Sequence, residues 1–123
     1  MGNIRKYKIS GTITAAGTAT SYSTAIRGKI LAVGVDYPAN TCTVDLDSDG
    51  EANAQKILDL AAANTDATYY PRVAVHDNAG TGVTYDGTNE IYEPFVVYGR
   101  VKLSVASGTA GQSVSVYLVV EEE

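Results

Sequence analysis

The chain has 123 residues, 45% of them hydrophobic and 19% charged, which fits one globular domain and excludes an intrinsically disordered chain. Its formal net charge of −5 disfavours nucleic acid as a partner, because that affinity comes largely from neutralising phosphates. A lone Cys42 excludes an internal disulfide framework and a cysteine-rich metal site, and apolar runs far shorter than the ~20 residues of a membrane helix predict no such span.

The opening MGNIRKYKIS has no apolar stretch, so no secretory signal is expected. Period-two alternation starts at once: Tyr7, Ile9, Gly11 and Ile13 share one face, while Lys6, Lys8, Ser10 and Thr12 share the other. Over residues 26–37, Leu31, Val33, Val35 and Tyr37 are in phase, and Cys42, Val44 and Leu46 then alternate with Thr43, Asp45 and Asp47. Residues 51–64 (EANAQKILDLAAAN) have helix-favouring composition, and Ile57, Leu58 and Ala61 fit helical spacing. The Asp-Ser-Asp-Gly turn before them reads as a hairpin connection instead, and predicts a strand over 55–61.

Tyr69, Val73 and Val75 are in phase around Pro71, which predicts an edge strand or a bulge. Residues 77–89 form a polar, Gly-rich loop long enough to be a contact loop. Phe95, Val97, Gly99, Val101, Leu103 and Val105 then oppose Val96, Tyr98, Arg100, Lys102 and Ser104. Past the 107–111 turn, Val114, Val116, Leu118 and Val120 continue the pattern, so the two runs read as a β-hairpin. Seven or eight short antiparallel strands predict a single all-β domain over residues 1–123, a β-sandwich or jelly roll.

Candidate chemistry is sparse. Asp45, Asp47, Asp49 and Gly50 match the opening of a calcium-binding loop, but position twelve is Lys56 where a bidentate Glu is required. The competing reading places Asp45 and Asp47 on the solvent face of a strand, with Asp49 leading the turn. His76 is the only histidine and no Gly-x-Ser-x-Gly elbow accompanies it, so His76-Asp77 reads as a loop hydrogen-bonding pair. Glu90 and Glu93 could pair for glycoside hydrolysis, but nothing marks a sugar groove and the chain has no Trp. These residues predict no enzyme, no cofactor and no small-molecule substrate.

The charge is split along the chain. Residues 1–35 hold Arg5, Lys6, Lys8, Arg27 and Lys29 and no acid, whereas the remainder holds four bases and fourteen acids. Nine Tyr stand against one Phe. Tyr and Arg suit protein interfaces, so Arg5, Lys6, Lys8, Arg27, Lys29, Tyr98, Arg100 and Lys102 are the candidate interface residues. The acidic end, Glu121-Glu122-Glu123, is expected to stay solvated or to pair with the Arg5–Lys8 strand of a neighbouring copy.

Taken in order, several segments resemble small structural proteins of tailed bacteriophages. They are Ala-Gly-Thr-Ala-Thr at 16–20, the 26–33 strand, the acidic turn, Tyr69-Tyr70-Pro71-Arg72 with His76-Asp77-x-Ala79-Gly80, and the 98–105 strand. The resemblance implies a virion component of the capsid cement or decoration type, made in the host cytoplasm. Such proteins form homo-dimers or homo-trimers on the capsid surface and bind the major capsid protein, tying capsomers together. A tail or head–tail connector component is the alternative of the same kind. A calcium- or carbohydrate-binding β-sandwich module is the alternative from another class.

Overall fold

The structure is a computed structural model that describes residues 3–49, 55–84, 86–89 and 91–122. Every regular element among them is a strand: β1 (Asn3–Thr12), β2 (Ala19–Tyr22), β3 (Ile26–Asp36), β4 (Cys42–Asp49), β5 (Lys56–Ala63), β6 (Ala67–Tyr69), β7 (Arg72–Ala74), β8 (Tyr92–Ala106) and β9 (Ser113–Glu122). All pairings are antiparallel, and the main path runs β1-β9-β3-β8-β4-β5.

The path folds over on itself at β8. The first part of this long strand, Phe95–Gly99, pairs with Ile26–Ile30 of β3. Its second part pairs with β2 through residues 102–105 and with β4 through residues 100–106. The fold is therefore an all-β sandwich, with β1, β9 and β3 in one layer and β2, β8, β4 and β5 in the other. One core fills the space between them. Ile9, Ile30, Val33, Leu46, Val101, Leu103, Val116 and Leu118 are all buried within it. Truncating one such Leu or Ile to Ala costs roughly 2–5 kcal/mol. The buried Ser48 is served by Gln55, whose amide donates to Ser48 Oγ and whose carbonyl accepts from the Ser48 amide.

The expected hairpin between the last two strands does not form. Both faces alternate as read, but β9 pairs with β1 and β3, whereas β8 pairs with β2, β3, β4 and β7. The 107–112 connection crosses from one layer to the other. The reason is steric as well as topological: the two apolar faces have equal claims on the core, and they bury most area by facing each other across it. The crossing is tied to the 13–18 corner by three backbone bonds, Ile13 N to the Gln112 carbonyl, Gly111 N to the Ile13 carbonyl and Gly108 N to the Gly17 carbonyl.

Two further departures have one physical cause, the β-bulge. In β3 the register against β9 shifts between Ile30 and Ala32, leaving Leu31 as the extra residue. Ile26 and Ile30 point inward before it, and Val33 and Val35 after it. Leu31 is therefore half-buried and does not share the core face with Val33, as simple alternation expects. In β5, two register shifts against β4 each insert a residue. Ile57 is buried and Leu58 and Leu60 are half-buried. An edge strand interrupted twice imitates the spacing of a helix, which explains the ambiguity of 51–64. The strand begins at Lys56; residues 50–54, which include the turn glycine, lie outside the described residues.

Pro71 splits the 68–76 run into two short strands on different partners, β6 on β3 and β7 on β8. This follows from its missing N–H, which cannot serve a ladder.

Candidate interaction surface

Even-numbered residues of β8 point away from the core, and the first of them are exposed apolar or aromatic groups: Tyr92, Val96 and Tyr98. The register carries this face across the sheet. Val96 lies opposite Lys29, Lys29 opposite Glu121, and Glu121 opposite the exposed Ile4, so one row crosses four strands. In the next row Tyr98 lies opposite Arg27, whose guanidinium carbon stands 4.9 Å from the ring centre. Farther along β8, Arg100 stands 4.0 Å over the ring of Tyr22, and Tyr22 lies opposite Lys102. Rows of stacked Tyr and Arg present flat apolar area with little side-chain entropy left to lose, the composition favoured at interface centres.

The eight candidate interface residues thus fall into separate groups. Arg27, Lys29, Tyr98, Arg100 and Lys102 share the β3–β8 face. Lys6 and Lys8 lie on the outer face of β1, at 5.1 Å and 5.7 Å from the centre of the Tyr117 ring. Arg5 points to the opposite side of its strand, where it pairs with Glu122 at 3.5 Å and lies 5.4 Å from the Tyr7 ring. Tyr7 donates its hydroxyl proton to Glu122 Oε2, which raises its pKa, with burial adding to the effect. The pairing of acidic C-terminus and basic N-terminal strand expected between copies is made inside one chain, because β1 and β9 are adjacent and antiparallel. Glu123 lies outside the described residues. Missing from the sequence-based set are Ile4, Tyr22, Tyr92 and Val96. The alternation of 95–105 already put Val96 on the outer face, whereas Ile4 and Tyr22 join it only through the register.

Asp45 and Asp47 occupy alternate outward positions of β4, as the solvent-face reading expects, whereas Asp49 does not lead the turn but continues the strand and the row, opposite Arg100. Each is met by a cation. Lys56 Nζ is 3.7 Å from Asp45 and 3.2 Å from Asp47, and Arg100 Nε is 2.5 Å from Asp49. No group of three metal-ligating residues is gathered among the described residues. Burial opposes the charge on Lys56, but Asp47, Asp45 and Asp59 outweigh it and raise its pKa. Burial raises Asp45, and the carboxyl of Asp59, directly opposite in the register, raises it further against the pull of Lys56.

The loop after β7 is held by its own acids. Asp77 Oδ1 accepts from the amides of Thr81 and Ala79, each at 2.9 Å, and Asp86 Oδ1 accepts from the amides of Asn89 and Thr88. These bonds lower the pKa of both carboxyls. His76 forms a β-bridge with Gly82 and lies at the base of this loop. Cys42 is buried in the core, and that burial raises its thiol pKa. A hollow of about 150 Å³ beside β7, lined by Gln55, Val73, Glu93, Pro94, Phe95 and Val96, is smaller than the roughly 300 Å³ at which small-molecule sites begin. Glu90, the other half of the carboxylate pair, lies outside the described residues.

No family model matches the chain, and no curated protein matches it. Two solved structures are similar to it along most of its length. One is PirA, 8% identical, covering 96% of this chain and 94% of its own with a TM-score of 0.44. The other is the F5/8 type C domain of a Bacteroides fragilis protein, 9% identical, covering 94% of this chain and 73% of its own with a TM-score of 0.35. Likenesses at this level carry no argument about what the chain binds.

Proposed function

We propose that this chain is a structural virion protein of the capsid cement or decoration type, binding the outside of a bacteriophage capsid and holding neighbouring capsomers together. The observation that carries the reading is the exposed face of β3 and β8, where Val96, Tyr98 and Tyr92 stand beside Arg27, Lys29 and Arg100. The cations of this face have acids beside them, Asp49 on Arg100 and Glu121 opposite Lys29, so what the face offers is flat apolar and aromatic area with charges of both signs around it, suited to a large, flat protein partner. The ordered segments that resemble phage structural proteins support the major capsid protein as that partner. In this reading the chain is not an enzyme, and it acts as a homo-dimer or homo-trimer.

Energetically the role asks little of each contact. A protein that binds the assembled shell and not its free subunits stabilises the shell by mass action. Repetition over many identical sites then multiplies a modest single affinity.

The test is quantitative mass spectrometry and antibody-labelled electron microscopy of gradient-purified particles from the phage that encodes the chain. The expected result is many copies per particle, with label over the head. Label confined to the tail or neck assigns the chain to the tail or connector, and absence from purified particles overturns the virion reading.

A further inference from the structure

The hydrogen-bonded path ends at β5 on one side and β1 on the other, and the two edges are built differently. β5 carries two bulges, which blunt an edge against further pairing. β1 runs from Asn3 to Thr12 in unbroken register with β9, with no bulge and no proline. Its outer backbone groups have no partner strand among the described residues. Its charges are of one sign. Arg5, Lys6 and Lys8 are exposed, and the strand has no acid. Arg5 is engaged by Glu122, whereas neither Lys6 nor Lys8 has an ion pair among the described residues. Both lysines are held on the outer face beside the Tyr117 ring.

We propose that β1 is a strand-addition site for an acidic extended segment of another protein. Main-chain bonds to the open ladder supply affinity, and acidic side chains at alternate positions of the incoming strand meet Lys6 and Lys8. A second copy of this chain fits the same edge badly. An antiparallel twin that keeps both outer faces on one side must set even residues against even residues. The registers of longest overlap then place Lys8 opposite Lys6 or opposite another Lys8, and like charges directly opposite are destabilising. The charges near the edge from other strands, Glu121 and Glu122 of β9, lie at the end where Ile4 and Arg5 pair, away from Lys8. The inference does not depend on the capsid reading, since any protein with such a segment satisfies it.

The probe is a synthetic peptide of about ten residues that alternates Glu with Thr or Val, long enough to span the edge. Controls are the same peptide with Lys for Glu and the same peptide N-methylated along its backbone. Hydrogen–deuterium exchange of the full chain is followed with each. The Glu peptide is expected to slow exchange within residues 3–12 and not in β5. A Lys6→Glu/Lys8→Glu variant, folded by circular dichroism because both sites are exposed, is expected to bind roughly tenfold more weakly. The Lys and N-methylated peptides are expected to leave exchange in β1 unchanged. Three results would overturn the proposal. They are no protection of β1 at millimolar peptide, equal binding of the N-methylated peptide, and a concentration-dependent dimer in sedimentation that itself protects β1.

Discussion

Arg72 reaches from β7 to the residue that the β3 bulge leaves over: its Nη1 donates to the Leu31 carbonyl at 3.3 Å and to the Pro71 carbonyl at 2.7 Å. The bulge reverses the phase of β3 between Ile30 and Val33, so the core depends on Leu31 being accommodated outside the ladder. One guanidinium ties that displaced backbone to the break between β6 and β7. Replacing Arg72 with Met is expected to cost about 1 kcal/mol, the net worth of a hydrogen bond at a partly exposed site. Urea denaturation measures this, and Arg72→Lys should recover part of the loss. An unchanged midpoint for Arg72→Met would show that solvent serves the carbonyls equally well.

Gly28 is expected to be the glycine least tolerant of alanine. Its φ is 156°, and a Cβ there would stand 2.2 Å from the Glu121 carbonyl oxygen, a backbone atom with nowhere to retreat. Gly28→Ala should therefore destabilise by more than about 3 kcal/mol or prevent folding. Gly80 provides the comparison, with φ 87° and open space around it. Gly80→Ala should cost only about 1–2 kcal/mol of backbone strain. Equal losses for the two variants in chemical denaturation would contradict this.

Asp45 and Asp59 face each other across β4 and β5, and burial with this like charge raises the Asp45 pKa. A carboxyl whose folded pKa exceeds its unfolded value holds its proton more firmly in the native state. It therefore weakens stability once pH rises past the unfolded value, and the penalty disappears as pH falls below about 4. Asp59→Asn should add stability at pH 7, by less than about 1 kcal/mol, and the gain should fade toward pH 3. Carboxyl titration by NMR should show Asp45 moving toward its ordinary range in this variant.

The opposite sign holds for Asp77. Bonds from the Thr81, Ala79 and Gly80 amides lower its pKa, so its hold on the loop is complete above the ordinary aspartate range and is lost as pH falls through the lowered value. Amide exchange at Ala79 and Thr81 should accelerate in Asp77→Ala at neutral pH, with exchange in β3 and β8 unchanged. Slow exchange at both amides in the variant would show that the turn holds without its acid.

Tyr98 and Arg27 separate surface function from stability. Their contact is exposed and worth about 0.5–1 kcal/mol, so Tyr98→Ala and Arg27→Ala should unfold close to the wild-type midpoint. If the β3–β8 face docks the chain, both variants should be depleted from particles at least severalfold. Full occupancy by both would remove this face from the docking surface.

Alternation along the chain determined a great deal unaided: the all-β class, the buried positions of β1, β4, β8 and β9, and the outward positions of Asp45 and Asp47. Those features depend only on each residue and its nearest neighbours, because successive side chains of a strand must point to opposite sides. Which strand lies beside which is a different kind of fact. Val101 to Val105 and Val114 to Val120 have the same pattern whether they pair edge to edge or close face to face, and competition for the shared core chose the second. The bulges at Leu31 and in β5 likewise exist only in the register against a partner strand, β9 for the one and β4 for the other, which no local window registers. The same holds for charge: Glu122 turned out to serve Arg5 and Tyr7 of its own chain, and Lys56 and Arg100 to serve Asp45, Asp47 and Asp49. Proximity in a folded sheet, set by register over more than a hundred residues of intervening chain in the case of Glu122, decided those partnerships.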